Sequence, residues 1–360
     1  WGICEINQQL PYHCQDFTGL IFIGLSCAVL MVLSRRLVWR PAAWPTLGLL
    51  PVMSLVALHS FCENEHLFLD AGWLAWPLTF ILLYYCLWRG RDQLPARTLA
   101  CKHVASYLLL VLIITSEVSW LAHHFIYGNG CWNLVAWGFV PAGLILLVQN
   151  TRLEQYWPLS DYGKLYQERG AGIVVFLLWC WLLSSSIHSP GNPAPLSFIP
   201  LLNPLELSQL AVMLLLFRWI FQHQAYATSL LPERFLLAAS GMTVFIWLNA
   251  ALARAVHHGL GVSFVFNEML ASRFYQASVS ILWGLLSLVL MVIAERRQNR
   301  VIWLMGIILI GATVAKLFLL DLAGSGTIER IVSFLAVGTV LMIIGYFFPL
   351  PPAEPLQEEE

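Results

Sequence analysis

The sequence predicts an all-α fold, a polytopic integral membrane helical bundle with about 11 transmembrane helices. Three observations carry that expectation. Hydrophobic residues make up 59% of the 360 and charged residues only 11%, the mean hydropathy is +0.73, and apolar runs of spanning length recur along the chain. A span takes roughly 20 apolar residues, so eleven would use about 220 and leave only short connections, with no room for a soluble catalytic domain. The runs are far too long for barrel strands. Within lipid each backbone amide must be paired in its own segment, which makes every run a helix.

In order, the runs fall at about 17–34, 44–61, 71–88, 103–122, 131–148, 171–188, 204–221, 235–254, 274–294, 301–321 and 327–347, bounded by charges, Pro or Gly. Orientation follows from the cationic residues, because cytoplasmic loops retain Lys and Arg. Alternate turns beginning with Arg35, Arg36 and Arg40 hold fifteen of the nineteen, and the other four are Arg254, Arg273, Lys316 and Arg330. The chain is therefore expected to have residues 1–16 outside as an extracytoplasmic segment, 17–348 as the bundle and 349–360 as a cytoplasmic acidic tail. It starts at Trp1 without a basic signal-peptide region, which suggests a piece of something longer.

Two stretches do not read as spans. Pro190, Pro193, Pro195, Pro200 and Pro204 break the segment between the sixth and seventh helices, which is still apolar at Leu196, Phe198 and Leu201. It is expected to lie on or dip into the membrane surface with its backbone covered by protein or water. Residues 260–273 mix Phe264, Phe266 and Met269 with Asn267, Glu268 and Arg273, the composition of an interfacial segment.

Candidate chemistry concentrates on the predicted outer face. Of ten histidines, only His103 and His223 fall on the inner side, while His59, His66, His123, His124, His257 and His258 are among those outside. Interfacial tolerance of imidazole explains this as well as a proton-handling site does. Adjacent His pairs lack the i, i+4 spacing of metal ligands, and no Cys-x-x-Cys occurs, so no metal or cofactor is expected. Glu117 lies near the outer end of the fourth helix with Trp120 and His124 on the same stripe. A carboxylate at that depth is costly unless paired or wetted, which makes it a candidate for function or for a structural ion pair.

Lys316, Asp321 and Arg330 flank the Gly324-Ser325-Gly326 reversal between the tenth and eleventh helices. One carboxylate for two cations either bridges both or leaves positive charge for an anionic ligand. Arg254, His257 and His258, at i, i+3 and i+4, would add to that surface. The ligand-binding candidates are thus His59, Glu117, His124, Arg254, His257, His258, Lys316, Asp321 and Arg330. Among the eight cysteines, Cys4 and Cys14 sit where a disulfide is permitted, with free thiols the alternative. No phosphate loop, nucleophile elbow or dinucleotide fingerprint is present.

Pro200 to Leu207, Gln276 to Trp283, and the run from Lys316 through Asp321 to Arg330, Ser333, Phe334 and Gly338 carry a likeness. Over about residues 196–348 the chain resembles the domain of unknown function 2339 family of large bacterial predicted membrane proteins. The resemblance implies a bacterial inner membrane location, further sequence at the N-terminus, and a shared pattern at Asn203, Gln276, Trp283, Lys316, Asp321 and Arg330. It implies no reaction.

Three functions compete. The polar outer face favours an envelope protein that binds an anionic lipid head group or lipid-linked glycan, and outer loops of about 20 residues at most leave enzymatic activity undecided. A transporter or flippase would also place polar residues in the middle and inner half, where few were expected. A scaffold for envelope protein partners would carry the polar face as a solvated rim. The net charge of -1 gives no sign of nucleic-acid binding, and the lipid bilayer is the one certain partner.

Overall fold

In a computed structural model the described residues are 2–63, 66–69, 71–126, 130–316, 338, 339 and 342. Asp321, Arg330, the eleventh run and the acidic tail lie outside them. The described residues form fourteen α-helices, joined by irregular turns, and no strand. Seven helical stretches are long and apolar enough to cross a membrane.

The chain divides into two compact units, Trp1–Met242 and Thr243–Glu360. The first contains α1 (Gly2–Gln9), α2 (Tyr12–Arg36), α3 (Leu49–Cys62), α4 (Gly72–Gly90), α5 (Ala96–Phe125), α6 (Trp132–Val148), α7 (Leu159–Lys164), α8 (Ala171–His188), α9 (Pro204–Gln222) and α10 (Gln224–Leu230). It also takes the start of α11 (Glu233–Leu260). The second unit holds the rest of α11, with α12 (Phe266–Ala271), α13 (Arg273–Arg297) and α14 (Arg300–Lys316). Ten of the eleven expected runs are thus helical over most of their length.

The second run begins differently from the expectation. Residues Arg40–Leu47 form a 3-10 helix containing Pro41 and Pro45, and α3 starts only at Leu49. Two prolines remove two amide donors, so this stretch cannot continue an α-helical ladder. Its Ala42, Ala43 and Thr46 are buried, whereas Trp39 and Trp44 are exposed. The Lys102 ammonium holds the segment from beneath, donating to the Thr46 carbonyl at 2.7 Å.

The first unit has its own apolar core, in which Met31, Leu49, Met53, Ala75, Trp76, Leu83 and Ile113 are almost wholly buried. Around it Phe22, Val29, Leu55 and Ile81 are left bare. In water such an apolar exterior would be unstable; in hydrocarbon it costs nothing, and small residues then let the helices approach. Gly138 of α6 does this against α8: a Cβ there would lie 2.5 Å from the Trp181 ring.

The span at Leu159–His188 is not uniform. After α7 the ladder widens to a π-helix at Leu165–Gly170 before α8 resumes. This places Tyr166 inward, 2% exposed, while on α8 Phe176 and Leu177 face outward and Val174, Leu178 and Leu182 face the core.

The proline-rich stretch between α8 and α9 contains no helix, as expected, and its backbone is covered by protein. Its Asn192 and Ala194 carbonyls accept from the Cys131 amide at 2.8 Å and the Trp132 indole at 2.8 Å. Asn203 closes it. Its side-chain oxygen accepts from the Leu205 amide and its NH2 group donates to the Gly191 carbonyl at 2.6 Å, so Asn203 caps α9 with Pro204 at the first helical position.

Candidate functional site

Thirty residues at 1.5 Å each make α5 about 45 Å long, well beyond the roughly 30 Å hydrocarbon thickness. Its last turns carry Glu117, Trp120 and His124 on one stripe. The connection after α3 brings His66 onto that stripe, with its Nε2 2.5 Å from the Glu117 carboxylate. The His66 ring stacks on Trp120 at 3.8 Å between centroids, and His124 stacks on the other side at 4.7 Å. A column of imidazole, indole and imidazole results, with a carboxylate at one end. The His66 and Glu117 side chains are each 14% exposed. Their remaining polar atoms, His66 Nδ1 and Glu117 Oε2, are buried and make no hydrogen bond among the described residues.

Chemically this is a carboxylate that orients an imidazole, the pairing used wherever a proton must be held in a fixed direction. His59 does not join it. Its Nδ1 lies 3.1 Å from the Asp16 carboxylate at the start of α2, and both side chains are nearly half exposed. Sequence reasoning selected His59, Glu117 and His124 but missed His66 and Asp16 as their partners.

In the second unit the polar groups form a ladder between α11, α13 and α14. The Trp283 indole donates to the Asn249 side-chain oxygen at 2.9 Å. The Lys316 ammonium donates to the Gln276 carbonyl and to Ser280 Oγ, each at 2.9 Å. Counting 1.5 Å per residue from the Asn249–Trp283 bond, Arg254 lies about 7.5 Å along α11, and Ser280 and Gln276 about 4.5 and 10.5 Å along α13. Arg254, Gln276, Ser280 and Lys316 therefore share one depth. Arg254 is fully buried. Beyond it, His257 Nδ1 meets the Val262 carbonyl at 2.5 Å and its ring lies edge-on to His258. The expected role of Lys316 as spare charge is thus modified, because its ammonium is already engaged by oxygen acceptors on α13. The bridge to Asp321 and Arg330 falls outside the described residues.

A further polar group lies at the opposite end of the first unit. His103 is fully buried on α5, with Nδ1 2.8 Å from the Tyr166 hydroxyl and its ring stacked on Tyr162. The Tyr84 hydroxyl is 3.5 Å from those of Tyr166 and Ser106. His103, Ser106 and Tyr107 at i, i+3 and i+4 were legible as a stripe, but Tyr84 and Tyr166 come from other helices. Nearby, a groove of about 620 Å³ is lined by Glu154, Asp161, Tyr162, Lys164 and Gln167. None of the expected site residues lines it.

All eight cysteines are free, Cys4 and Cys14 included. No group of three metal-ligating side chains occurs among the described residues.

The family described as "Predicted membrane protein (DUF2339)" matches residues 7–351. The chain belongs to this family. The match corrects the expected extent, since it covers the N-terminal half as well as the segment from 196 onward. Curated proteins and solved structures give no match. Of the residues singled out by the family pattern, Asn203 caps a helix, Trp283 and Lys316 tie helices together, and the Gln276 carbonyl receives Lys316. As a DUF2339 protein the chain is a membrane protein in contact with the lipid bilayer.

Proposed function

We propose that this DUF2339 protein binds an anionic lipid head group, free or carrying a glycan, at the end of its second unit that bears Arg254, His257, His258 and Lys316. The supporting observation is charge. Among the described residues of that end, Arg254, Arg273 and Lys316 are accompanied by two imidazoles and by one carboxylate, Glu268. Cations are expensive there and escape the usual cytoplasmic bias, so a phosphate that offsets them gives their presence a reason. Asp321 and Arg330 complete the candidate set from sequence. The cation count places this end outside and the C-terminus in the cytoplasm of a bacterial inner membrane. A reporter active only in the cytoplasm, fused after Glu360, should be active; silence with good expression would reverse the orientation.

Binding is tested with the purified protein in nanodiscs of phosphatidylcholine containing a small fraction of phosphatidylglycerol, scored by native mass spectrometry. Phosphatidylglycerol should be retained preferentially, and the variant H257A/H258A/R273Q should lose most of that preference. Equal retention of both lipids by the wild type would overturn the proposal.

A transporter or flippase is the second reading. The buried His103, Tyr84 and Tyr166 favour it, since they put polar groups in the half of the first unit where the sequence suggested few.

A further inference from the structure

The connection from α2 to α3 carries an apolar surface that nothing in the first unit covers. Leu37, Val38, Trp39 and Trp44 are 64, 85, 57 and 67% exposed. This is a segment pinned to the protein on one side, through buried Ala42, Ala43 and Thr46, and bare on the other. Arg36 and Arg40 bracket it. Both are exposed, and neither makes an ion pair among the described residues, in contrast to Arg35, whose guanidinium bonds the Asp92 carboxylate at 2.7 Å.

The backbone is strained to hold this arrangement. Val38 has φ +54°, a left-handed conformation that is unfavourable for a β-branched residue. It ends α2 where glycine is usual: the Trp39 amide turns back to donate to the Ser34 carbonyl at 2.9 Å. With valine rather than glycine at that turn, the reversal presents an apolar side chain, Val38, at the position of greatest exposure.

Exposed tryptophans, an exposed aliphatic tip and flanking arginines at the end of a spanning helix match the chemistry of a lipid interface: indoles at head-group depth, acyl chain against valine and leucine, guanidinium on phosphate. We infer that residues 36–47 form a binding surface for an anionic phospholipid of the surrounding leaflet, with Arg36 and Arg40 on its phosphate and Val38, Trp39 and Trp44 against its glycerol and upper acyl chain. This surface belongs to the first unit and is independent of the one proposed for the second. Charge complementarity selects the occupant: a zwitterionic head group brings its own cation and cannot neutralise two unpaired guanidinium groups as well.

Tryptophan quenching by lipids brominated in the upper acyl chain tests this with the whole protein. Two nanodiscs of the same overall composition are compared, one with the bromine on a minor phosphatidylglycerol component and one with an equal amount of bromine on phosphatidylcholine. Quenching should be stronger with bromine on phosphatidylglycerol. The excess should fall in W39F/W44F, although fourteen of the sixteen tryptophans stay. It should also fall in R36Q/R40Q, with affinity for phosphatidylglycerol about tenfold weaker. H257A/H258A/R273Q should leave this part of the excess in place, which separates failure here from failure in the second unit. Equal quenching by the two probes, or an excess unchanged in W39F/W44F, would overturn the inference; those arms stand even if R36Q/R40Q does not fold. Loss of the excess on adding millimolar inorganic phosphate would show that a phosphate ion, rather than a lipid, is the preferred occupant.

Discussion

Replacing Glu117 with Gln tests whether the imidazole column is held by its carboxylate. Both partners are 14% exposed and 2.5 Å apart, so water screens the contact little, and a hydrogen bond to a charged group in such a setting contributes about 1.5–3 kcal/mol. E117Q keeps the shape of the side chain and removes its charge, which should cost the protein about that much. His66→Ala loses the same bond together with its stacking on Trp120, about 0.5–1.5 kcal/mol more. Added to H66A, E117Q should then cost little, because its partner is already gone. The coupling in this double-mutant cycle is expected at about 1.5–3 kcal/mol. Denaturant titration in mixed micelles, followed by circular dichroism, measures all four proteins. Coupling of about 0.5 kcal/mol or less, the scatter expected of independent sites, would refute the pairing and leave Glu117 and His66 acting separately.

Three further substitutions probe the frame in the same assay. Asn203→Ala should lose about 1–2 kcal/mol by uncapping α9 and freeing the Gly191 carbonyl, and Asn203→Asp should recover part of it because the capping oxygen is retained; equal losses would assign the effect to the Gly191 bond. Gly138→Ala should cost about 1–3 kcal/mol, since the new methyl would meet the Trp181 ring at 2.5 Å, whereas Gly143→Ala on the same helix, with open space around it, should be neutral or slightly stabilising. Val38→Gly should stabilise the purified protein by up to about 1 kcal/mol through relief of the left-handed turn; a clear loss would show that the valine side chain contributes more than its backbone costs.

The helices were legible because bilayer thickness fixes a length, and apolar runs of that length are visible without knowledge of their neighbours. The 3-10 segment was legible only in part. Its run of Ala, Trp and Leu reads as span, but Pro41 and Pro45 decide its geometry. Asn203-Pro204 is a helix-start signal in plain sight, and the structure gives this residue of the family pattern a folding role. Glu117, Trp120 and His124 share a stripe by helical periodicity alone, yet their companion His66 lies 51 residues from Glu117, with α4 between them. No local spacing encodes that pairing. His103 was set aside as an inner-face histidine, because the tyrosines that surround it come from α4 and from the π-helix.

The π-helix before α8 also fixes how this span can vary. One residue more than an α-helical turn sits in Leu165–Gly170. Deleting a single residue there would let the ladder close as ordinary α-helix and rotate everything downstream by about 100° relative to everything upstream. Phe176 and Leu177 would swing toward positions now held by Val174, Leu178 and Leu182, and Tyr166 would leave His103. A one-residue deletion in the loop before α7 would be absorbed by slack. Within the six residues of the π-helix it exchanges the lipid-facing and core-facing sides of a whole helix, so relatives should change length around this segment and not inside it.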